Sequence, residues 1–244
     1  MSTREFYENL YSRGELRNPA LEIYDRLRAQ TIQELIASVP GPVLIVGCGS
    51  HLDFEIRSPD EKIVAFDLSN LAMRSAPRDR VDGFVADATC MPLPGGYFNL
   101  VICSEVLEHI ADIRSVVREI HRVLQPNGTL VVSSPNWISC FGLARWIGEI
   151  ITGRPLHASD QPYDDWKTLS RYRRELSPQF HTTKVRGVWF LPPLHYRGRG
   201  VPKNWMRLIY IIYSPLEWLL SRITPSLGHM IVLLCQSQEL RAEK

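Results

Sequence analysis

The run Val43-Leu44-Ile45-Val46 closes on Gly47-Cys48-Gly49-Ser50, and it constrains the fold more than any other stretch. Four consecutive branched aliphatics read as a strand buried on both faces, which belongs inside a parallel sheet covered by helices. The two glycines at its end permit a tight turn and a close approach of backbone to a ligand. Taken alone, such a pair is equally compatible with a plain turn.

The residues that follow repeat the pattern. Ile63 to Asp67 is a second strand with an acid at its carboxyl end, followed by a helix from Leu71 to Arg74. Val81 to Asp87 is a third strand ending on an acid, Phe98 to Ser104 a fourth, and Thr129 to Ser134 a fifth after the turn Pro126-Asn127-Gly128. Ile113 to Leu124 is a helix between the last two, 51–58 reads as a short helix, and residues 19–39 form an N-terminal helix stopped by Pro40-Gly41-Pro42. Strict alternation of strand and helix predicts an α/β fold with a doubly wound, mostly parallel sheet.

In such sheets ligands sit beyond the carboxyl ends of the strands, and the polar residues fall there. Asp67 stands about twenty residues past the glycine turn, where an acid can accept both ribose hydroxyls; capping the next helix is its other reading. Asp87 with Ala88 stands where a carboxylate takes the exocyclic amine of adenine, or else Asp87 belongs to a strand-end turn. Ser104 and Glu105 end the fourth strand. The order of the whole set points to a nucleoside ligand.

Composition narrows the setting. With 244 residues, 45% of them hydrophobic and 22% charged, the chain suits one decorated domain over 1–244. Its divisions are an N-terminal helical region (1–40), a ligand-binding core (41–136), and later insertions at 137–183 and 191–227. The opening residues carry no apolar signal core, and the five cysteines are scattered without a Cys-x-x-Cys pair. A cytoplasmic, reducing location is the expectation.

From residue 43 to 136 the sequence resembles the class I S-adenosylmethionine-dependent methyltransferases, in the subgroup of ubiquinone-biosynthesis O-methyltransferases and other small-molecule methyltransferases. The likeness runs through the glycine turn, Phe66-Asp67-Leu68-Ser69, Asp87-Ala88-Thr89-Cys90-Met91-Pro92, Phe98 to Ile110, and Glu119 to Asn136. It implies a Rossmann-like sheet of seven strands with the last antiparallel; Lys184 to Phe190 and Met230 to Cys235 fit the two further strands. It also implies S-adenosyl-L-methionine as cofactor. Gly47, Cys48 and Gly49 would pass under its methionine and ribose, Asp67 with Leu68 would meet the ribose, Asp87 and Ala88 the adenine, and Ser104 and Glu105 the methionine end.

Two departures stand out. Ile45 occupies the place of an acid that would face the cofactor's ammonium, and His51 replaces a third small residue. Glu105 is the group that can compensate. A nicotinamide dehydrogenase fits less well, since the third glycine is missing. Nucleic-acid methylation at nitrogen is disfavoured, because the strand end reads Ser104-Glu105-Val106-Leu107 instead of Asn-Pro-Pro-aromatic. The resulting expectation is methyl transfer to a small apolar or amphiphilic acceptor, at oxygen. A catalytically silent, partner-binding subunit and an RNA methyltransferase are the alternatives.

His109 is the candidate general base, an imidazole just past the fourth strand; His181 and His195 are weaker candidates. Glu105, Glu108 and His109 resemble a metal-binding Glu-x-x-Glu-His set that relatives also carry without metal, and no metal is assigned here. Apolar helices are expected at 137–153 and at 205–220, the second broken at Pro215. Between them lies a basic, aromatic-laced stretch containing Arg171, Arg173, Arg174, Arg197 and Arg199. It suits a solvated face, an anionic acceptor head group, peripheral contact with an anionic membrane, or RNA.

Overall fold

The structure is a computed structural model; it describes residues 2–12, 21–49, 56–58, 60–156, 163–192, 195–196, 199–200 and 203–239. At its centre is β1 (Val43–Val46), every residue of which is buried. It pairs in parallel with β2 (Ile63–Asp67) on one side and β4 (Phe98–Ser104) on the other. β3 (Val81–Val85) lies beyond β2, and β5 (Leu124–Pro135) beyond β4. Two late strands complete the sheet: β6 (Phe180–Val188) and β7 (Met230–Ser237), the latter antiparallel to both β5 and β6. The order is β3-β2-β1-β4-β5-β7-β6. This is the seven-stranded, mostly parallel Rossmann-like sheet expected from the sequence.

Side chains alternate across the pleat, so β1 feeds two cores at once. Val43 and Ile45 face a cluster with Ile32 and Ile36 of α2 (Leu21–Ile36), while Leu44 and Val46 face Val117 and Ile120 of α4 (Ile113–Val123). Each such side chain contributes about 1.5–3 kcal/mol by leaving water. Tyr172 and Leu176 of α6 (Leu169–Leu176) join the α4 side, so the β5–β6 crossover packs beside α4.

Several elements differ from expectation. α1 (Thr3–Ser12) falls in the expected N-terminal helical region, as a separate helix ahead of the one assigned to 19–39. β3 ends at Val85, because Asp87 folds into a turn with Thr89. β5 starts at Leu124, which pairs with Phe98 ahead of an irregularity that absorbs Asn127 at φ 60. β6 starts earlier than expected and stops before Trp189, whose φ of 63 turns the chain away. α5 spans Cys140–Thr152, with Ser139 capping it and left-handed Gly153 closing it. α7 runs unbroken from Lys203 to Ile223 through Pro215. The carbonyl of Ile211, which proline leaves without an amide partner, instead accepts Ser214 Oγ at 3.0 Å. Most of the expected 51–58 helix, and His51, lie outside the described residues.

Candidate functional site

The glycine turn is built as a cradle. Gly47 and Gly49 have φ of +62 and +53, the left-handed region open to glycine. The amides of Gly47 and Cys48 both donate to Phe66 O, at 2.9 and 3.2 Å, which ties the turn to β2. A Cβ on Gly47 would come 2.5 Å from Val106 Cγ2, so the loop after β4 closes directly over the turn.

Asp67 is pinned rather than capping. Gly49 N–H donates to its Oδ2 at 3.0 Å and Ser69 N–H to its Oδ1 at 2.9 Å. The cap of α3 (Asn70–Arg74) is Ser69, whose hydroxyl accepts from Leu71 and Ala72. Burial pushes the Asp67 carboxyl up, and the amides of Ser69, Gly49 and Leu68 pull it back. Each carboxylate oxygen has lone-pair capacity beyond one amide, enough for a diol. Asp87 is exposed, and its Oδ1 accepts both the amide and the hydroxyl of Thr89, at 2.8 and 2.7 Å. Ala88 beside it is buried in the α4-facing core.

At the end of β4, Ser104 Oγ and Ser133 Oγ are 2.8 Å apart in the interior. Glu105 adopts φ 57, a conformation costing a non-glycine residue about 1–3 kcal/mol, and its amide holds Ser133 O at 3.0 Å. Strain of this kind clusters at ligand sites. Ile45 is fully buried in the α2-facing core, where no carboxylate could be hydrated.

Leu107–His109 form a single 3-10 turn. Glu108 is buried, accepts Ser134 Oγ at 2.7 Å, and is pushed up by burial while His109 and that hydroxyl pull it down. His109 Nδ1 lies 3.2 Å from Tyr163 O, which assigns the proton to Nδ1. Its Nε2 is then the basic nitrogen, 3.7 Å from Glu108 Oε1. Among the described residues no three His, Cys, Asp or Glu side chains converge as a metal cluster would require.

Three residues of α1 belong to the site and were missed in the sequence. Glu8 accepts the amides of Asn70 and Leu71, at 2.6 and 3.3 Å, at the start of α3. Tyr11 OH lies 3.2 Å from the place of a Cβ on Gly49. The Tyr7 phenol is pushed up by burial and by Glu108, Asp67 and Asp164. α1 therefore lies across the carboxyl ends of β1 and β2. The aromatic spacing of Phe6, Tyr7 and Tyr11 was a readable sign of an amphipathic turn, but its partner is far away in sequence.

A second group gathers at the ends of β5 and β6. Met230 pairs with both Pro135 and Val188, so His229 stands at the ligand end of the sheet. It stacks on Phe141 with ring centroids 3.8 Å apart and touches Tyr24 and Trp166. Burial lowers its pKa to about 3, so the ring is neutral. Tyr24 connects this cluster to the β4 end, since Glu105 and Glu108 help to push its phenol up. Asn136 Nδ2 donates to Ile138, Ser226 and Gly228 carbonyls and so joins the loop after β5 to the one before β7.

The other expected residues are dispersed. Arg171, Arg173 and Arg174 are exposed on α6, Arg171 4.0 Å from Asp165. His181 is at the amino end of β6, away from the site. His195 and Arg199 are described only as backbone in a small hairpin, and Arg197 lies outside the described residues.

Residues 44–132 match the family model of a methyltransferase domain. A probable S-adenosylmethionine-dependent methyltransferase of Mycobacterium tuberculosis is 32% identical over 133 residues, 52% of this chain and 48% of that protein. The ubiquinone biosynthesis O-methyltransferase of Bordetella avium is 30% identical over 125 residues, 48% of this chain and 52% of the relative. The chain thus spans about half the length of these relatives. An S-adenosylmethionine-dependent methyltransferase structure from Thermotoga maritima superposes with a TM-score of 0.64 at 14% identity, covering 97% of this chain and 99% of that one. The fold is that of the class I methyltransferases. Residues 44–132 are a methyltransferase domain, and S-adenosyl-L-methionine is the cofactor such a domain takes.

Proposed function

We propose that the protein transfers a methyl group from S-adenosyl-L-methionine to the oxygen of a small, amphiphilic acceptor. The observation that carries this reading is Asp67, held by Gly49 and Ser69 amides beside two left-handed glycines, with His109 oriented at the next strand end. Gly47, Cys48, Gly49, Asp67, Leu68, Asp87, Ala88, Ser104 and Glu105 are the residues that would hold the cofactor. That cofactor supplies a methyl group activated on a sulfonium.

The protein's own task is then placement and proton removal. A hydroxyl held about 3–3.5 Å from the methyl carbon reacts with little further help. His109 Nε2 accepts the hydroxyl proton, and the Tyr163 carbonyl keeps Nδ1 protonated throughout. Glu108 faces the imidazolium that forms. Tyr24, Phe141, Trp166 and His229 offer an aromatic wall for the acceptor body, a neutral surface suited to an apolar ring or chain. The acceptor-side segments after residue 136 set its identity. The setting is cytoplasmic, with peripheral contact to a membrane and no nucleic acid.

Buried Ile45 favours one competing reading, a silent subunit of methyltransferase fold that binds a partner. Calorimetry separates the two, because the enzyme reading requires binding of S-adenosylmethionine and its demethylated product. Incubating cell extract with the protein and isotopically labelled cofactor, followed by mass spectrometry, then identifies the acceptor. Absence of cofactor binding at millimolar ligand overturns the enzyme reading.

A further inference from the structure

The distribution of exposed apolar side chains is uneven. Among the described residues, every exposed large hydrophobic except Tyr97 lies on α5, on α7, or within four residues of their ends. α5 shows Leu143, Trp146, Ile150 and Ile151, with Ile151 77% exposed. α7 shows Trp205, Ile211, Ile212, Trp218 and Ile223, with Ile212 73% exposed. Scattered apolar residues on a surface need no explanation, but a concentration on two helices does.

The two helices are linked through Phe190: its carbonyl is 3.9 Å from Cys140 Sγ of α5, and its amide donates to Glu217 of α7. Charge is sorted across the same helices. Each has a single acid, Glu149 and Glu217. Glu217 is buried on the amides of Trp189 and Phe190, and Glu149 is engaged by Arg145 and the Leu156 amide. The remaining charges at the helix ends are cations. Arg222 stacks over Trp218 at 4.0 Å and also reaches Glu34, exposed Arg154 follows α5, and the sequence places Lys203 and Arg207 at the start of α7.

We infer that the outer faces of α5 and α7 form a docking surface for an anionic lipid bilayer, lying in its interface rather than crossing it. Three tryptophans on an apolar face edged by Arg154 and Arg222 match the chemistry of the headgroup boundary. No described helix is long and apolar enough to span a membrane. A second copy suits the face less well, because self-association would bring the Arg154 and Arg222 edges together, with Glu34 the acid already engaged by Arg222. The surface continues into the site: Phe141, on the inner side of α5, is the residue stacked on His229. An amphiphilic acceptor leaving the bilayer would arrive at that aromatic wall.

The inference stands on exposure and charge and does not require methyl transfer. Its test uses the full chain with phosphatidylcholine vesicles, with and without phosphatidylglycerol, in co-sedimentation and tryptophan fluorescence. Binding to the anionic vesicles, with quenching by brominated lipid tails, is expected. Ile151→Glu with Ile212→Glu should weaken that binding at least tenfold while the unfolding midpoint stays put. Vesicle binding that leaves tryptophans unquenched would mean electrostatic adsorption alone and would overturn the proposal. So would a dimer in sedimentation velocity that the same variant disperses, in a protein that ignores vesicles.

Discussion

At the scale of single residues, the proposed reaction would give Asp67 a part in binding and His109 a part in chemistry. Asp67 accepts two backbone amides and, in the proposed function, its remaining lone pairs would take the ribose hydroxyls. Hydrogen bonds to a charged group are worth about 1.5–3 kcal/mol, so Asp67→Ala should weaken S-adenosylmethionine by roughly ten- to a hundredfold in calorimetry. The product should lose a similar factor, since both carry the ribose. His109→Ala should do the reverse, lowering kcat by about 10²–10⁴ while cofactor affinity stays nearly constant. Chelator should leave the rate unchanged if His109 is a base. Full turnover in the alanine variant would remove the imidazole from the proton transfer.

At the scale of elements, α1 would close the side on which the proposed function places the cofactor. Glu8 accepts the first amides of α3 and Tyr11 stands over Gly49, so α1 is attached at the points where the ribose and methionine would lie. Glu8→Ala with Tyr11→Ala should speed cofactor release several-fold, read by stopped flow, with little change in the unfolding midpoint. Saturating cofactor should slow hydrogen exchange of α1 amides in the parent protein and have less effect in the variant. This element also shows what the sequence conveyed and what it did not. β1, β2 and β4 were legible because burial on both faces leaves an uninterrupted apolar run, and Asp67 and Glu105 because strand ends fix where polar residues must stand. α1 was not legible, since its fixed partner, the Asn70 amide, is 62 residues away. Pro215 misled for a local reason: the helix survives it because Ser214 supplies the missing donor to Ile211. His229 gave no sign at all, because only the pairing of β7 with both β5 and β6 brings it to the ligand end.

At the scale of the whole molecule, the ligand end of the sheet carries groups whose charged forms are disfavoured, and stability must therefore respond to pH. Asp67, Glu108 and Glu217 are all raised chiefly by burial. A carboxyl raised in the folded state holds its proton longer than in the unfolded chain, so stability falls as pH rises between the two values. His229 acts in the opposite sense. Its pKa falls from 6.5 to about 3 on folding, through burial among Phe141, Tyr24 and Trp166. Between those values the unfolded chain binds the extra proton, so the stability that His229 confers is complete above the unfolded pKa and is lost as pH drops through it. The loss is about 1.4 kcal/mol per pH unit, close to 2 kcal/mol in total between about pH 7 and pH 5. His229→Phe keeps the stack on Phe141 and removes the titration. Urea unfolding of parent and variant should therefore diverge by that amount as the solution is acidified, with the variant gaining relative to the parent while both feel the buried carboxylates alike. Parallel curves would mean that the imidazole already carries a proton, or an unseen acceptor for one, in the folded protein.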